Sequence, residues 1–189
     1  LTRSGLPCRL LMLSDLIKER VPPAEVCLFL DAFKVAGERR TALRRQVCGD
    51  KRTAVWVYAP GAIGNMISGR TMKDLTGIRL TVVTQPGPLQ VSLGTGSPLL
   101  GGELTAGFSY GVTRAAPRFY CVGGAGQRLG DLMGTDFRRR QGNAGQVGGL
   151  VAREFDDWTS VFSAAPALPL ELLRALVRRA GVPVYVPDG

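Results

Sequence analysis

The chain has 189 residues, a formal net charge of +9, 25 glycines and no histidine. Without imidazole there is no Ser-His-Asp or Cys-His nucleophile, and no zinc site that needs a histidine ligand. At this length one domain buries roughly 70% of the surface its unfolded chain exposes, so folding requires neither disulfides nor a metal.

The first third reads as alternating strands and helices. Residues 8–13 are a short apolar run. Ser14 and Asp15 then offer capping oxygens for a brief helix to residue 20, stopped by Pro22-Pro23. Residues 26–30 are continuously apolar, the pattern of a strand buried on both faces. A helix follows over 38–48, with Ala42, Leu43 and Val47 inward and arginines outward. Residues 53–58 form a second buried-type strand ended by Pro60-Gly61, and a short helix over 68–75 leads to a strand at 78–83. Repeated β-α-β units with short connections predict a mostly parallel sheet with helices on both faces.

The middle breaks that rhythm. Residues 84–150 hold 16 of the 25 glycines, with short β-like pieces at 89–93 and 118–122. They read as a Gly-rich, β-leaning insertion or as irregular strands on the sheet edge. Regularity returns with a strand at 158–162. A helix follows with Pro169 at its start and Leu172, Leu173, Leu176, Val177 and Ala180 on one stripe. Gly181 caps it, before a closing strand at 182–186. The reading is therefore a single α/β domain over 1–189, with a core of 1–83 and 150–189 around an insertion at 84–150. Both ends look cut, as in an excerpt of a longer protein.

The positive charge is spread out. Arginines outnumber lysines 20 to 4, and the longest like-charge run is Arg138-Arg139-Arg140. A nucleic-acid footprint clusters its charge and interleaves aromatic residues, so the pattern reads as a solvated basic face, with a basic nucleic-acid binder as the lesser alternative. Cys8, Cys27, Cys48 and Cys121 contain no C-x-x-C pair. Cys8, Cys27 and Cys121 lie in apolar runs and read as small buried hydrophobes, which suits a reducing, cytoplasmic setting. No apolar run is long enough to span a membrane and no signal peptide is visible, so no membrane partner is expected.

Candidate chemistry is sparse. Gly124-x-Gly126-x-x-x-Gly130 follows a strand, but lies deep in the chain with no long helix after it, so it reads as a Gly-rich loop and no cofactor is expected. Glu154, Asp156 and Asp157 cluster at a strand–loop junction, where exposed acids are ordinary. In open α/β sheets ligands gather at the carboxyl ends of strands, which here means 31–34 and 59–64. Asp31, Lys34, Tyr58, Pro60 and Gly61 are the resulting candidate ligand or interface residues. The turn where some flavodoxin-like enzymes hold a nucleophilic cysteine reads Tyr58-Ala59-Pro60-Gly61, which carries no thiol. No residue qualifies as catalytic and none as a metal ligand.

Several stretches together carry a family resemblance. They are Ser4-Gly5-Leu6-Pro7 running into Leu13-Ser14-Asp15-Leu16, Leu28-Phe29-Leu30-Asp31-Ala32-Phe33, Val55-Trp56-Val57-Tyr58-Ala59-Pro60-Gly61, and Asp74-Leu75-Thr76-Gly77-Ile78. Ser160-Val161-Phe162-Ser163-Ala164-Ala165-Pro166-Ala167-Leu168-Pro169 completes the set. The chain resembles the trimerisation domain of β-galactosidase-type glycoside hydrolases. That resemblance implies a flavodoxin-like, class I glutamine-amidotransferase-like three-layer sandwich without catalytic residues. It also implies, as partners, a (β/α)₈ barrel in the same parent protein that carries the catalytic carboxylates, and sister subunits of a homo-oligomer. Where such domains tend to carry acidic residues after the Phe-x-Val strand, this chain has Gly123-Gly124. The expected function is a non-catalytic assembly domain in carbohydrate metabolism. The alternative is a small-ligand or carbohydrate-binding flavodoxin-like module using the loops at 31–34 and 59–64.

Overall fold

A computed structural model describes residues 5–18, 22, 24–30, 32–35, 37–64, 66–94, 97, 104, 107–124, 126–133 and 147–185. In chain order its elements are α1 (Leu13–Ile17), β1 (Val26–Phe29), α2 (Glu38–Val47), β2 (Arg52–Val57), α3 (Gly69–Thr76), β3 (Leu80–Val83) and β4 (Gly87–Leu93). They continue with β5 (Phe108–Ala115), β6 (Arg118–Cys121), β7 (Gln127–Met133), β8 (Gly148–Glu154), β9 (Trp158–Ser163) and α4 (Leu170–Arg179).

The strands form one mixed sheet in the order β1-β2-β9-β8-β7-β4-β5, with β6 also paired to β8 and β3 paired to β6. Only β1–β2 and β2–β9 run parallel; every other pair is antiparallel. The sheet curls into a half-barrel. This corrects the expectation of a flavodoxin-like, amidotransferase-like sandwich with a mostly parallel sheet. The β-α-β reading holds as far as β3, which then pairs antiparallel with β6 instead of joining the parallel strands. From there the chain turns back on itself through antiparallel partners, and helical crossovers are what a parallel pairing would need. The Gly-rich middle is thus strand-forming: β4, β5, β6 and β7 all belong to the sheet.

Helices cover the parallel strands on both faces. The register puts Ala54, Trp56, Ser160 and Phe162 on one face, where Phe29 stacks on Trp56 at 4.3 Å and Trp56 Nε1 donates to Ser160 Oγ at 3.1 Å. Arg153 lies on this face too, beside Ser160 in register, and donates to the Gly77 carbonyl at 2.6 Å where α3 ends. α2 is tied to α3 by a bond of 2.6 Å from Arg44 to the Asp74 carbonyl. Ser68 caps α3 through the Arg70 amide, and Gly77 closes it in the left-handed conformation at φ 73°. On the opposite face α4 buries Leu172, Leu173, Leu176 and Val177. Each such side chain contributes roughly 1.5–3 kcal/mol, which explains why a helix with only ten residues holds its place.

Two further expectations fail. Residues 8–12 form no strand, and Leu10 and Met12 are exposed, as is Cys8. The closing strand is absent over residues 182–185, whose attachment is a bond of 2.9 Å from the Tyr185 amide to the Gly5 carbonyl. The Arg138–Arg140 run lies outside the described residues.

Curling brings distant strands together. Tyr110 on β5 and Ser163 at the end of β9 are hydrogen-bonded through their hydroxyls at 3.0 Å, and both are buried. Glycine lets the backbones approach: a methyl group on Gly149 would lie 2.7 Å from Val91 Cγ2 and 3.1 Å from the Leu132 nitrogen. Gly149→Ala is therefore expected to cost about 1–3 kcal/mol in urea unfolding, while Gly124→Ala, where a methyl meets nothing within 4 Å, stays within about 0.5 kcal/mol.

Burial raises the Tyr110 phenol above its ordinary value of 10.0, opposed by the Ser163 hydrogen bond. Below pH 10 the phenol is protonated in both states and adds no pH dependence. Above it the unfolded chain loses the proton first, so stability falls as pH rises, by up to about 1.4 kcal/mol per pH unit. Denaturant melts between about pH 9 and about pH 11, one unit either side of the unfolded tyrosine value, should show this alkaline loss. The loss is expected to shrink in Tyr110→Phe.

Candidate functional site

The carboxyl ends of β1 and β2 carry the loops singled out from sequence. The Gly61 amide donates to the Ala32 carbonyl at 2.7 Å, and the Ile63 amide to the Phe33 carbonyl at 2.9 Å, so the two loops are laced together. Tyr58 leaves β2 in the left-handed region at φ 66°, a conformation costing a non-glycine residue about 1 kcal/mol or more. Several contacts hold it there. Its amide donates to the Ser163 carbonyl at 2.8 Å and its hydroxyl to the Pro117 carbonyl at 2.5 Å. Its ring stands edge-on to Phe33 and Phe119. Partial burial moves its phenol above the usual value.

Pro60 and Gly61 are buried, Gly61 at φ 66°, where a methyl group would lie 3.1 Å from Leu75 Cδ2. Lys34 is exposed, and Asp31 lies outside the described residues. The structure thus brings Lys34, Tyr58, Pro60 and Gly61 to one end of the sheet. There the polar groups of Tyr58 are spent on holding the turn. Among the described solvent-facing side chains there, Lys34 is charged, and Leu30, Ile63, Met66 and Ile67 are apolar.

The opposite, amino-terminal end of the same strands holds two adjoining hollows of about 270 and 460 Å³. The register aligns Thr53 with Thr159 and Thr159 with Glu154, so these three side chains share a face at the start of β2 and β9 and the end of β8. Val161 and Leu176 form an apolar wall, and Arg179 from the last turn of α4 reaches over. Arg179 Nη2 donates to Glu154 Oε1 at 3.0 Å and to Gln127 Oε1 at 2.9 Å. Sequence reasoning saw Glu154 as an ordinary exposed acid. The structure agrees that Glu154 is exposed, and Thr53 and Thr159, each the second residue of its strand, went unremarked.

The Gly124–Gly130 stretch turns from β6 into β7, and a methyl group on Gly126 would meet the Ala152 backbone, so its glycine serves strand packing. Among the described residues no group of three potential metal ligands converges, and no helix is long and apolar enough to cross a membrane.

Of the cysteines expected to be buried, Cys121 is buried, Cys27 half-buried and Cys8 exposed. Cys8 escapes burial because the run that carries it does not enter the sheet. Burial pushes the Cys121 and Cys48 thiols up to about 11, so at pH 8 roughly one in a thousand is a thiolate. Timed alkylation followed by peptide mass spectrometry should modify Cys8 at least about tenfold faster than Cys121 in the native protein, with the difference lost in denaturant.

No protein-family model matches the chain, and no curated protein matches it. Among solved structures it superposes on β-galactosidase from Bacillus circulans sp. alkalophilus with a TM-score of 0.56 at 14% sequence identity. The match covers 85% of this chain and 23% of that one, so the chain corresponds to less than a quarter of the enzyme's length. The likeness is one of fold, to part of a glycoside hydrolase.

Proposed function

We propose that this chain is a non-catalytic assembly domain of a β-galactosidase-like glycoside hydrolase. The observation that carries the reading is the shared fold, which spans most of this chain and a minor part of the enzyme. A domain that occupies so small a fraction of a hydrolase leaves room for the catalytic apparatus elsewhere. The sheet end where an α/β ligand site is expected supports an interface better than a reaction. Tyr58 is fully engaged in holding its turn, while Leu30, Ile63, Met66 and Ile67 project apolar surface around it. Exposed apolar side chains gathered at one end of a domain are the usual mark of a protein contact. In this reading the partners are a catalytic barrel of the same protein and further copies of the chain.

The expected behaviour of the isolated chain is self-association without turnover. Sedimentation velocity should detect oligomers at about 100 µM, and a Met66→Glu, Ile67→Glu double variant should weaken association at least about tenfold while keeping the native circular dichroism. Hydrolysis of a chromogenic galactoside by the chain alone would refute the non-catalytic assignment. A strictly monomeric chain, indifferent to the double variant, would refute the assembly role.

A further inference from the structure

The two ends of the strand order meet solvent differently. At one end β5 carries Arg114 and is interrupted by Gly111 at φ 138°, features that discourage a further strand. At the other end β1 reads Val26-Cys27-Leu28-Phe29, with no charge, no proline and no shift in register. Edge strands are normally blunted by one of those devices, by a cover or by shortness, and β1 has only its shortness.

The register fixes which backbone groups β1 leaves open. The Thr53 amide donates to the Glu25 carbonyl at 2.7 Å, and Val26 is the residue opposite Thr53. In a parallel pair this turns the N–H and C=O of Val26 away from β2. Alternation along the strand aims the Cys27 groups at β2 and the Leu28 groups outward again. Among the described residues nothing outside β2 bonds to the backbone of Val26 or Leu28, and both are partly exposed. Each therefore offers one donor and one acceptor along an unused edge, and such groups are normally paired.

Symmetry narrows what completes that edge. A strand can add a copy of itself, antiparallel, about a two-fold axis, where the same patch serves both sides. With the axis through Cys27, Val26 lies opposite the second copy's Leu28 and Leu28 opposite its Val26, so every open group bonds to a strand residue. An axis through Val26 or Leu28 instead sets one of the two opposite a residue outside β1. The strand is uncharged, so the axis brings no like charges together within it. Leu30, exposed just beyond β1, continues the contact into the apolar end of the sheet.

We propose that β1 pairs antiparallel with β1 of a second copy about a two-fold axis through Cys27, joining the sheets of two chains. The proposal rests on the assembly role and gives it one specific contact.

That register makes Cys27 its own reporter. It faces the second copy's Cys27 as a non-hydrogen-bonded pair, with α-carbons about 4.5 Å apart, inside the roughly 4.4–6.8 Å that a disulfide spans. The test oxidises a Cys8→Ser variant, which lacks the exposed thiol, with copper phenanthroline in air at about 100 µM chain, and maps the links by peptide mass spectrometry. A dimer linked Cys27 to Cys27 and reversed by dithiothreitol is expected, at least about tenfold more abundant than a Cys48 to Cys48 link between thiols of similar exposure. Val26→Pro removes an outward N–H and spares the bonds to β2, so it should cut the Cys27 link at least about fivefold while the native circular dichroism is kept. A Cys27 link that is absent, or no more abundant than the Cys48 link, would overturn the proposal and mean that something else covers the edge. So would an undiminished link in folded Val26→Pro; if that variant does not fold, the comparison of Cys27 with Cys48 decides. Oligomers in sedimentation without the Cys27 link would remove this contact and leave the assembly role standing. Galactoside turnover by a chain that forms the link would do the reverse.

Discussion

The hydrogen bond between Tyr110 and Ser163 is the contact that most clearly forces the shape of this molecule. In the strand order, β5 lies four places from β9, and a flat sheet would hold them roughly 19 Å apart. Their hydroxyls meet at 3.0 Å. The intervening strands must therefore bend, and the register shifts in β4–β5 and β7–β8 mark places where they do. Ser163 also donates to the Ala165 carbonyl and accepts, through its own carbonyl, the amide of Tyr58. One buried serine thus links the far antiparallel strand, the loop after β9 and the strained turn after β2.

That linkage explains how two kinds of sheet coexist. β1, β2 and β9 are parallel, apolar and covered by helices on both faces, as parallel strands require. From β8 onward the pairing is antiparallel, and among the described residues no helix separates consecutive strands from β3 to β9. Tyr58 sits at the boundary. It donates to Pro117 ahead of β6, and Arg118 in turn donates to the Gln85 and Pro88 carbonyls. The guanidinium lies against Gly87, where any side chain would collide with it. A left-handed tyrosine is costly, and these attachments to the antiparallel half are what the conformation secures.

The parallel unit was legible in the sequence because its signals are local. Continuous apolar runs marked β1 and β2, the pattern over 68–75 marked α3, and the apolar stripe between Pro169 and Gly181 marked α4. The antiparallel half was not legible for a physical reason. β5, β7 and β8 carry Gly111, Gly130, Gly148 and Gly149 where alternation would place side chains, because neighbouring backbone or side-chain atoms fill that space. The residues that allow the curl are those that erase the strand pattern. Their glycine content read as a β-leaning insertion or as irregular strands on the sheet edge, whereas these strands form most of the sheet. The exposed run at residues 8–12 misled in the opposite sense, since apolar composition carries no information about whether a partner strand is available.

The same physics bears on where a ligand could sit. Carboxyl ends of parallel strands attract ligands when the loops there leave backbone amides and polar side chains free. Here the amides of Gly61 and Ile63 are bonded to the neighbouring loop, and Tyr58 bonds across to Pro117, so that end offers mainly apolar surface. At the other end the sheet supplies what the loops withhold. Thr53 and Thr159 start their strands with hydroxyls under the last turn of α4, and the Glu154–Arg179 pair closes over them without using them. The arrangement is a polar rim set around two threonine hydroxyls that water can reach, so neither is stranded without a partner.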